Sequence, residues 1–438
     1  MRSRLSCPRM VLSRHSLCPF VTAVFVASAV LAQDELQTRI DKALAAARPA
    51  LLGHLDAAAK SGTPGELALV CLAAVHDGVP LDDPVRVRAF AKLAKAVPAQ
   101  TYDIALRLLV LQAATDVPDH GKLVDRDGKE LLAHRSRDGG FQYDEAPVGW
   151  DLSNTQYGAL GLRAAAALGV QVDRRTWQRL ADLVGEQQDS YGGFGYGVRH
   201  GNANDGCASM TAAGISVLAI CRQALAGNDA QDRELAQRIQ RGWLWFSQHG
   251  SCIGSPRERW SYYFHYGLER AAILCDVVEI GNKLDWYRTG AGMLVEDQLP
   301  GGGWKSLTDG SPGGHLDRGR GDAVPTSFAV LFLRRKFQKA PLSGPITPRV
   351  VNLANLGPAS KADDVDACAA LLVQRGKAAL AEVVKAMRSE VVTQRRAAAK
   401  ALIGLAGSSF DFDPEQDRDS DAARAAVRRA ELWVLQNR

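Results

Sequence analysis

Aromatic residues make up only 7% of the 438-residue chain, and methionine occurs five times. Runs in which β-branched residues alternate with polar ones are all but missing, which excludes a β-sandwich or barrel as the main body. Beyond the first 32 residues no apolar stretch approaches the roughly 20 residues of a membrane-spanning helix. Strong net charge is missing too. Arg2, Arg4, Arg9 and Arg14 hold four of the 53 basic residues, against 48 acidic ones in the whole chain. The chain beyond the leader is therefore close to neutral, and neither nucleic acid nor an anionic membrane face is implied as a partner. Of the eight cysteines, Cys7 and Cys18 lie in the leader. Cys71, Cys207, Cys221, Cys252, Cys275 and Cys368 sit mostly in Ala/Leu/Ile-rich stretches, where a thiol reads as a small apolar residue rather than half of a disulfide framework.

The residues that are present begin with an address. Four arginines and no acid, an apolar run from Phe20 to Leu31, and Val30-Leu31-Ala32 before Gln33-Asp34 describe a signal peptide over residues 1–32. Met10 is a second candidate start, because Arg14 and His15 still supply a positive n-region. Cys18 precedes the apolar run, so it is not a lipoprotein anchor. The expectation is an exported protein, periplasmic or secreted from a bacterial envelope.

Residues 33–340 carry a repeat, the feature that decides architecture. Asp151-Leu-Ser-Asn-Thr155, Asp205-Gly-Cys-Ala-Ser209 and Asp322-Ala-Val-Pro-Thr326 align without gaps, each followed by a helix of small apolar residues. An Asp at that point suits a helix start, where orphan N–H groups need acceptors. Small residues then let the helix pack closely on both sides, which marks it as inner. Ahead of each start stands a glycine pair and an aromatic: Gly139-Gly140-Phe141, Gly192-Gly193-Phe194 and Gly302-Gly303-Trp304. Upstream lie more polar amphipathic helices such as Arg174 to Gln188 and Trp286 to Gln298, the outer ones. Less regular inner helices are expected near Glu66 to His76, Tyr102 to Ala114 and Ser261 to Val278. Outer ones are expected near Asp34 to Lys60, Pro84 to Ala96 and Arg233 to Ser247.

The predicted fold is all-α: an α/α toroid of six outer-inner helix pairs, plus a small C-terminal helical unit. An open solenoid would show a tighter repeat length and atypical end caps. Residues 341–358, with Pro, Gly and Asn, form a linker, and 359–438 a helical tail. In that tail Leu380 to Arg388 followed by Arg395 to Leu402 resembles a HEAT repeat. The run Asp411-Phe-Asp413-Pro-Glu415-Gln-Asp417-Arg-Asp419-Ser-Asp421 alternates acids as a calcium loop does. Gln416 replaces the required Gly and Ala422 the closing Glu, so it reads as a solvated loop with Ser420 or Asp421 capping the last helix.

The loops Gln187 to Phe194 and Gln298 to Trp304 resemble the QW repeats of squalene-hopene cyclases, within the terpenoid cyclase and protein prenyltransferase superfamily. The resemblance covers roughly residues 60 to 340 and implies the toroid. It departs from the pattern at His134 and Arg135, where Gln is expected, and at Gly250 to Ile253, which lacks the motif. Those cyclases protonate squalene through an Asp-x-Asp-Asp motif at an inner-helix start. The matching stretch here, Asp151-Leu152-Ser153-Asn154-Thr155, has lost the central acid, so polyene protonation by that route is not expected. Prenyltransferases hold zinc through Asp-x-Cys and a distant His. Asp205 and Cys207 look like the first half, but Trp260-Ser261 stands where the His belongs, with His265 further in and His200 in the preceding loop. The plainer reading makes Asp205 a cap and Cys207 a packed thiol, with no metal and no cofactor expected.

Unusual composition marks Trp260 to Arg270. On a helix Tyr262, Tyr266 and Glu269 share one face with His265 beside them. If that face lines a cavity, it offers aromatic walls and a titratable imidazole; the plainer reading has tyrosines filling the ring and Glu269 pairing with Arg270 or Arg259. The cavity candidates are Asp151, Tyr157, Asp205, Tyr262, His265, Tyr266, Glu269 and Asp322. Three functions are compatible with them. One is a toroid without the protonating motif, binding an apolar or glycan ligand or a protein. Another is an (α/α)6 glycan hydrolase or lyase using rim carboxylates, favoured if two of them face each other and disfavoured if each bonds only its own helix start. The last is an interaction scaffold, favoured by a filled ring.

Overall fold

The computed structural model describes the backbone of residues 19–144, 148–197, 206–226, 229–257, 260–281, 283–305, 322–335, 353, 356–360, 362–374 and 376–436. Among the described residues, twelve α-helices occupy the stretch up to residue 335: α1 (Pro19–Ser61), α2 (Pro64–Asp77), α3 (Pro84–Lys95), α4 (Thr101–Ala113), α5 (His120–Ala133), α6 (Leu152–Ala167), α7 (Arg174–Glu186), α8 (Ala208–Ala224), α9 (Asp229–Gln248), α10 (Ser261–Cys275), α11 (Trp286–Glu296) and α12 (Ala323–Arg334). The even-numbered helices pack in the order α2, α4, α6, α8, α10, α12 and back onto α2, and each odd-numbered helix lies outside them. The chain is an all-α toroid.

Burial follows the sequence pattern. α8 is buried on every side from Ala208 to Cys221, the signature of a helix surrounded by protein. Outer α7 buries only one stripe, Thr176, Trp177, Leu180, Ala181 and Val184. Outer helices start at conventional caps. Asp83, Asp173 and Asp285 each accept a hydrogen bond from a first-turn N–H with their side chains.

The three glycine-aromatic loops repeat one device. Phe141 N–H donates to Thr155 Oγ1 at 3.0 Å, Phe194 N–H to Thr211 Oγ1 at 3.1 Å and Trp304 N–H to Thr326 Oγ1 at 3.0 Å. In the first two loops the aromatic ring then drops against the inner helix one turn on, where Gly158 and Gly214 leave it room. Gln188 Nε2 donates to Gly192 O and to Arg238 O on the next outer helix, and Gln298 Nε2 donates to Gly302 O and to Ala43 O on α1. Gly192 and Gly302 adopt φ of +93° and +83°, and a Cβ at either would collide with the backbone of that neighbouring helix.

Polar pairs pin the far ends of the inner helices. Arg107 of α4 meets Asp127 of α5 at 2.6 Å twice, both buried. Arg222 of α8 meets Asp232 of α9 at 2.6 Å. Arg334 of α12 reaches Asp77 of α2 at 2.6 and 2.8 Å, where Arg48 of α1 also binds, so this carboxylate ties the last inner helix to the first pair. α10 stops at Cys275, short of the expected Val278, because Asp276 turns to φ 56° and Val277 N–H closes onto Ala272 O. The chain then makes a two-stranded antiparallel ribbon, Glu279–Ile280 (β1) with Leu284–Asp285 (β2), which no alternation in the sequence announces.

After this come α13 (Ala362–Gln374), α14 (Leu380–Met387), α15 (Val392–Ala406) and α16 (Asp421–Gln436), with their own core around Leu356, Cys368, Val383, Ala401, Leu402 and Ala430. In the acidic loop the carboxylates serve the protein itself. Asp413 Oδ1 accepts from Glu415 N–H, Asp417 Oδ1 from Asp419 N–H, and Glu415 pairs with Arg396. Ser420 Oγ accepts from Ala423 N–H and caps α16. Residues 1–18 of the expected leader, and most of 341–358, lie outside the described residues.

Candidate functional site

Because an outer helix returns the chain before every inner one, all six inner helices run the same way and their first turns gather at one mouth. At the start of α6, Asp151 accepts from Asn154 N–H at 2.9 Å, Ser153 Oγ at 2.6 Å and Asn154 Nδ2 at 2.7 Å, and it is 7% exposed. Ser153 and Asn154 serve here as donors to Asp151.

A chain of phenols crosses the ring just inside the mouth. Tyr102 on α4 lies 6.0 Å from Tyr143 and 4.2 Å from Tyr157 on α6, measured between ring centroids. Tyr157 is 6.2 Å from Tyr263 on α10, Tyr263 is 6.1 Å from Phe328 on α12, and Tyr266 is 5.1 Å from Phe328. Helices α4 and α10 are opposite members of the six, and their Tyr102 and Tyr263 rings both lie against Tyr157 between them. Tyr263 Oη donates to Gln156 Oε1 at 3.1 Å. A side chain bordering a hole wide enough for water keeps accessible surface there, yet Tyr157, Tyr266 and Phe328 keep 1%, 2% and 2%. The axis is filled at this level. Burial holds the Tyr102, Tyr157 and Tyr263 phenols well above their ordinary value, so they stay neutral.

Further along the same helices the interior is charged. Arg270 lies over the Tyr266 ring at 4.0 Å and pairs with Glu269 at 3.1 Å. Arg163 of α6 is buried nearby, and burial together with the charge of Arg270 pulls it down to about 10. Burial pushes Glu269 up to about 7 against the attraction of Arg270 and Arg335.

The face expected on α10 is divided. Tyr266 points to the axis. Tyr262 points to the α11–α12 side, where its hydroxyl donates to Lys305 O at 3.2 Å and the charges of Asp297 and Asp322 add to burial in raising its phenol. Glu269 feels Arg335, beyond α12, rather than an open cavity. His265 is corrected outright as a cavity residue: it is 0% exposed and turned outward, with Gly290 of outer α11 beside it. Its Nε2 accepts Gly254 N–H at 3.0 Å, so Nδ1 carries the proton donated to Ser261 O at 2.7 Å. Both nitrogens are thereby engaged, and burial lowers the imidazole to about 4. Asp322 stands half-buried at the α12 start within range of His54 and Tyr262, and its side chain makes no cap bond. Asp205 and His200 lie outside the described residues. Cys207 is half-buried with its thiol 3.7 Å from Ser209 Oγ. Among the described residues no three His, Cys, Asp or Glu groups come together as metal ligands.

The residues that build the mouth beyond Asp151 are Tyr102, Tyr143, Gln156, Tyr196, Tyr263 and Phe328, none of which stands among the sequence-based cavity candidates. Tyr143 and Tyr196 follow glycine-aromatic loops and carried no signal in the sequence.

No family model matches the sequence, and no curated protein does. Among solved structures, the chain is similar to variants of the type II terpene cyclase MstE from Scytonema. One, in complex with geranylgeranyl dihydroxybenzoate (substrate), matches at a TM-score of 0.44 and 14% identity over 69% of this chain and 98% of that one. An apo variant gives the same values, and one in complex with merosterolic acid A (product) matches at a TM-score of 0.40 and the same identity and coverage. This likeness concerns architecture alone, and the toroid stands on this chain's own helix order and packing.

Proposed function

We propose that this is an exported, terpenoid cyclase-like toroid that does not cyclise polyenes and works as a binding module at its mouth. The observation that carries the reading is the row of rings from Tyr102 through Tyr157 to Tyr263 across the ring, in front of buried Arg163 and Arg270. A polyene has no room on that axis, and a carbocation beside two buried guanidiniums would be repelled. Asp151, with Ser153 and Asn154 as its donors, supports the same conclusion, because neither neighbour is an acid that could deliver a proton. The glycan hydrolase or lyase alternative needs free, opposed carboxylates, and Asp151 is bonded to its own helix start. A filled ring also supports the scaffold reading, in which the outer surface and the HEAT-like tail contact a protein. The leader over residues 1–32 supports export to the periplasm or beyond.

The test incubates the mature protein with squalene and with geranylgeranyl substrates and looks for cyclic products by gas chromatography. None is expected, and none from Ser153→Asp with Asn154→Asp either, because restoring the acids does not open the axis. A cyclic product from the unaltered protein would refute the reading. N-terminal sequencing of the secreted chain is expected to begin at Gln33.

A further inference from the structure

We draw no further inference here: the strongest candidate, the outer face of α16 in the C-terminal helical unit, where Leu432 and Leu435 are 59% and 63% exposed outside the helix's buried stripe, carries nothing because nothing in the structure shows what covers it.

Discussion

Gln298 donates its side-chain amide to the backbone carbonyl of Ala43 at 2.7 Å, across 255 positions of sequence. The same amide holds Gly302 O in its own loop. One glutamine thus fastens the last glycine-aromatic loop to the first outer helix, as Gln188 fastens its loop to α9. The motif is a joint between neighbouring pairs, and the seam that shuts the ring uses the same joint as the Gln188 loop does with α9.

Gly302→Ala should therefore be severe. Its φ is +83°, and the added methyl would strike the Ala46 backbone, which lies in a helix and cannot yield. A loss of about 2–4 kcal/mol is expected from strain and collision together. Gly169→Ala, at φ +98° with nothing near the added carbon, should cost only about 1 kcal/mol. Urea denaturation of the two variants checks the difference, and equal losses would show that the α1 contact is unimportant.

The repeated threonine bond gives a graded prediction. Thr155→Val, Thr211→Val and Thr326→Val each keep the side-chain shape and strand one buried loop N–H. Each should cost about 1–2 kcal/mol, and pairs should add because the sites share no partner. Thermal melts of single and double variants decide it.

Tyr157 is expected to behave in the opposite sense. Its hydroxyl is buried and, among the described residues, has no hydrogen-bond partner. Tyr157→Phe removes an unmet polar group and should raise stability by up to about 1 kcal/mol. A marked loss would mean that a water or ligand sits on that oxygen.

His265 and Glu269 make stability depend on pH in opposite directions. His265 is held at about 4, below its ordinary 6.5, so the fold favours the neutral ring. Its contribution is complete above pH 6.5 and is lost as pH falls toward 4, roughly 3 kcal/mol in all. Glu269 is raised to about 7 from 4.5, so the fold favours its protonated form, and stability declines as pH rises from 4.5 to 7. Glu269→Gln should abolish that decline while leaving the acid-side loss. Denaturation midpoints between pH 4 and 8 measure both, and an unchanged alkaline slope in Glu269→Gln would refute the assignment.

Much of this molecule was legible from local pattern. Small-residue runs marked the inner helices because a helix packed on both sides tolerates little side-chain volume. A capping acid at Asp151 and the glycine-aromatic loops marked where three of them began, since orphan N–H groups and left-handed turns restrict which residues serve.

Tertiary structure alone decided what the ring encloses. Tyr102 and Tyr263 close on Tyr157 from two sides because α4 and α10 stand opposite in a closed ring, a relationship set by six helix crossings that no spacing within one helix records. The outward turn of His265 depended on a loop residue, Gly254, eleven positions earlier that offered it a backbone N–H. Whether a tyrosine lines a cavity or fills one depends on what faces it. Local sequence determined the helices; the closure of the ring determined which side chains meet on its axis and fill it at the level of Tyr157, Tyr266 and Phe328.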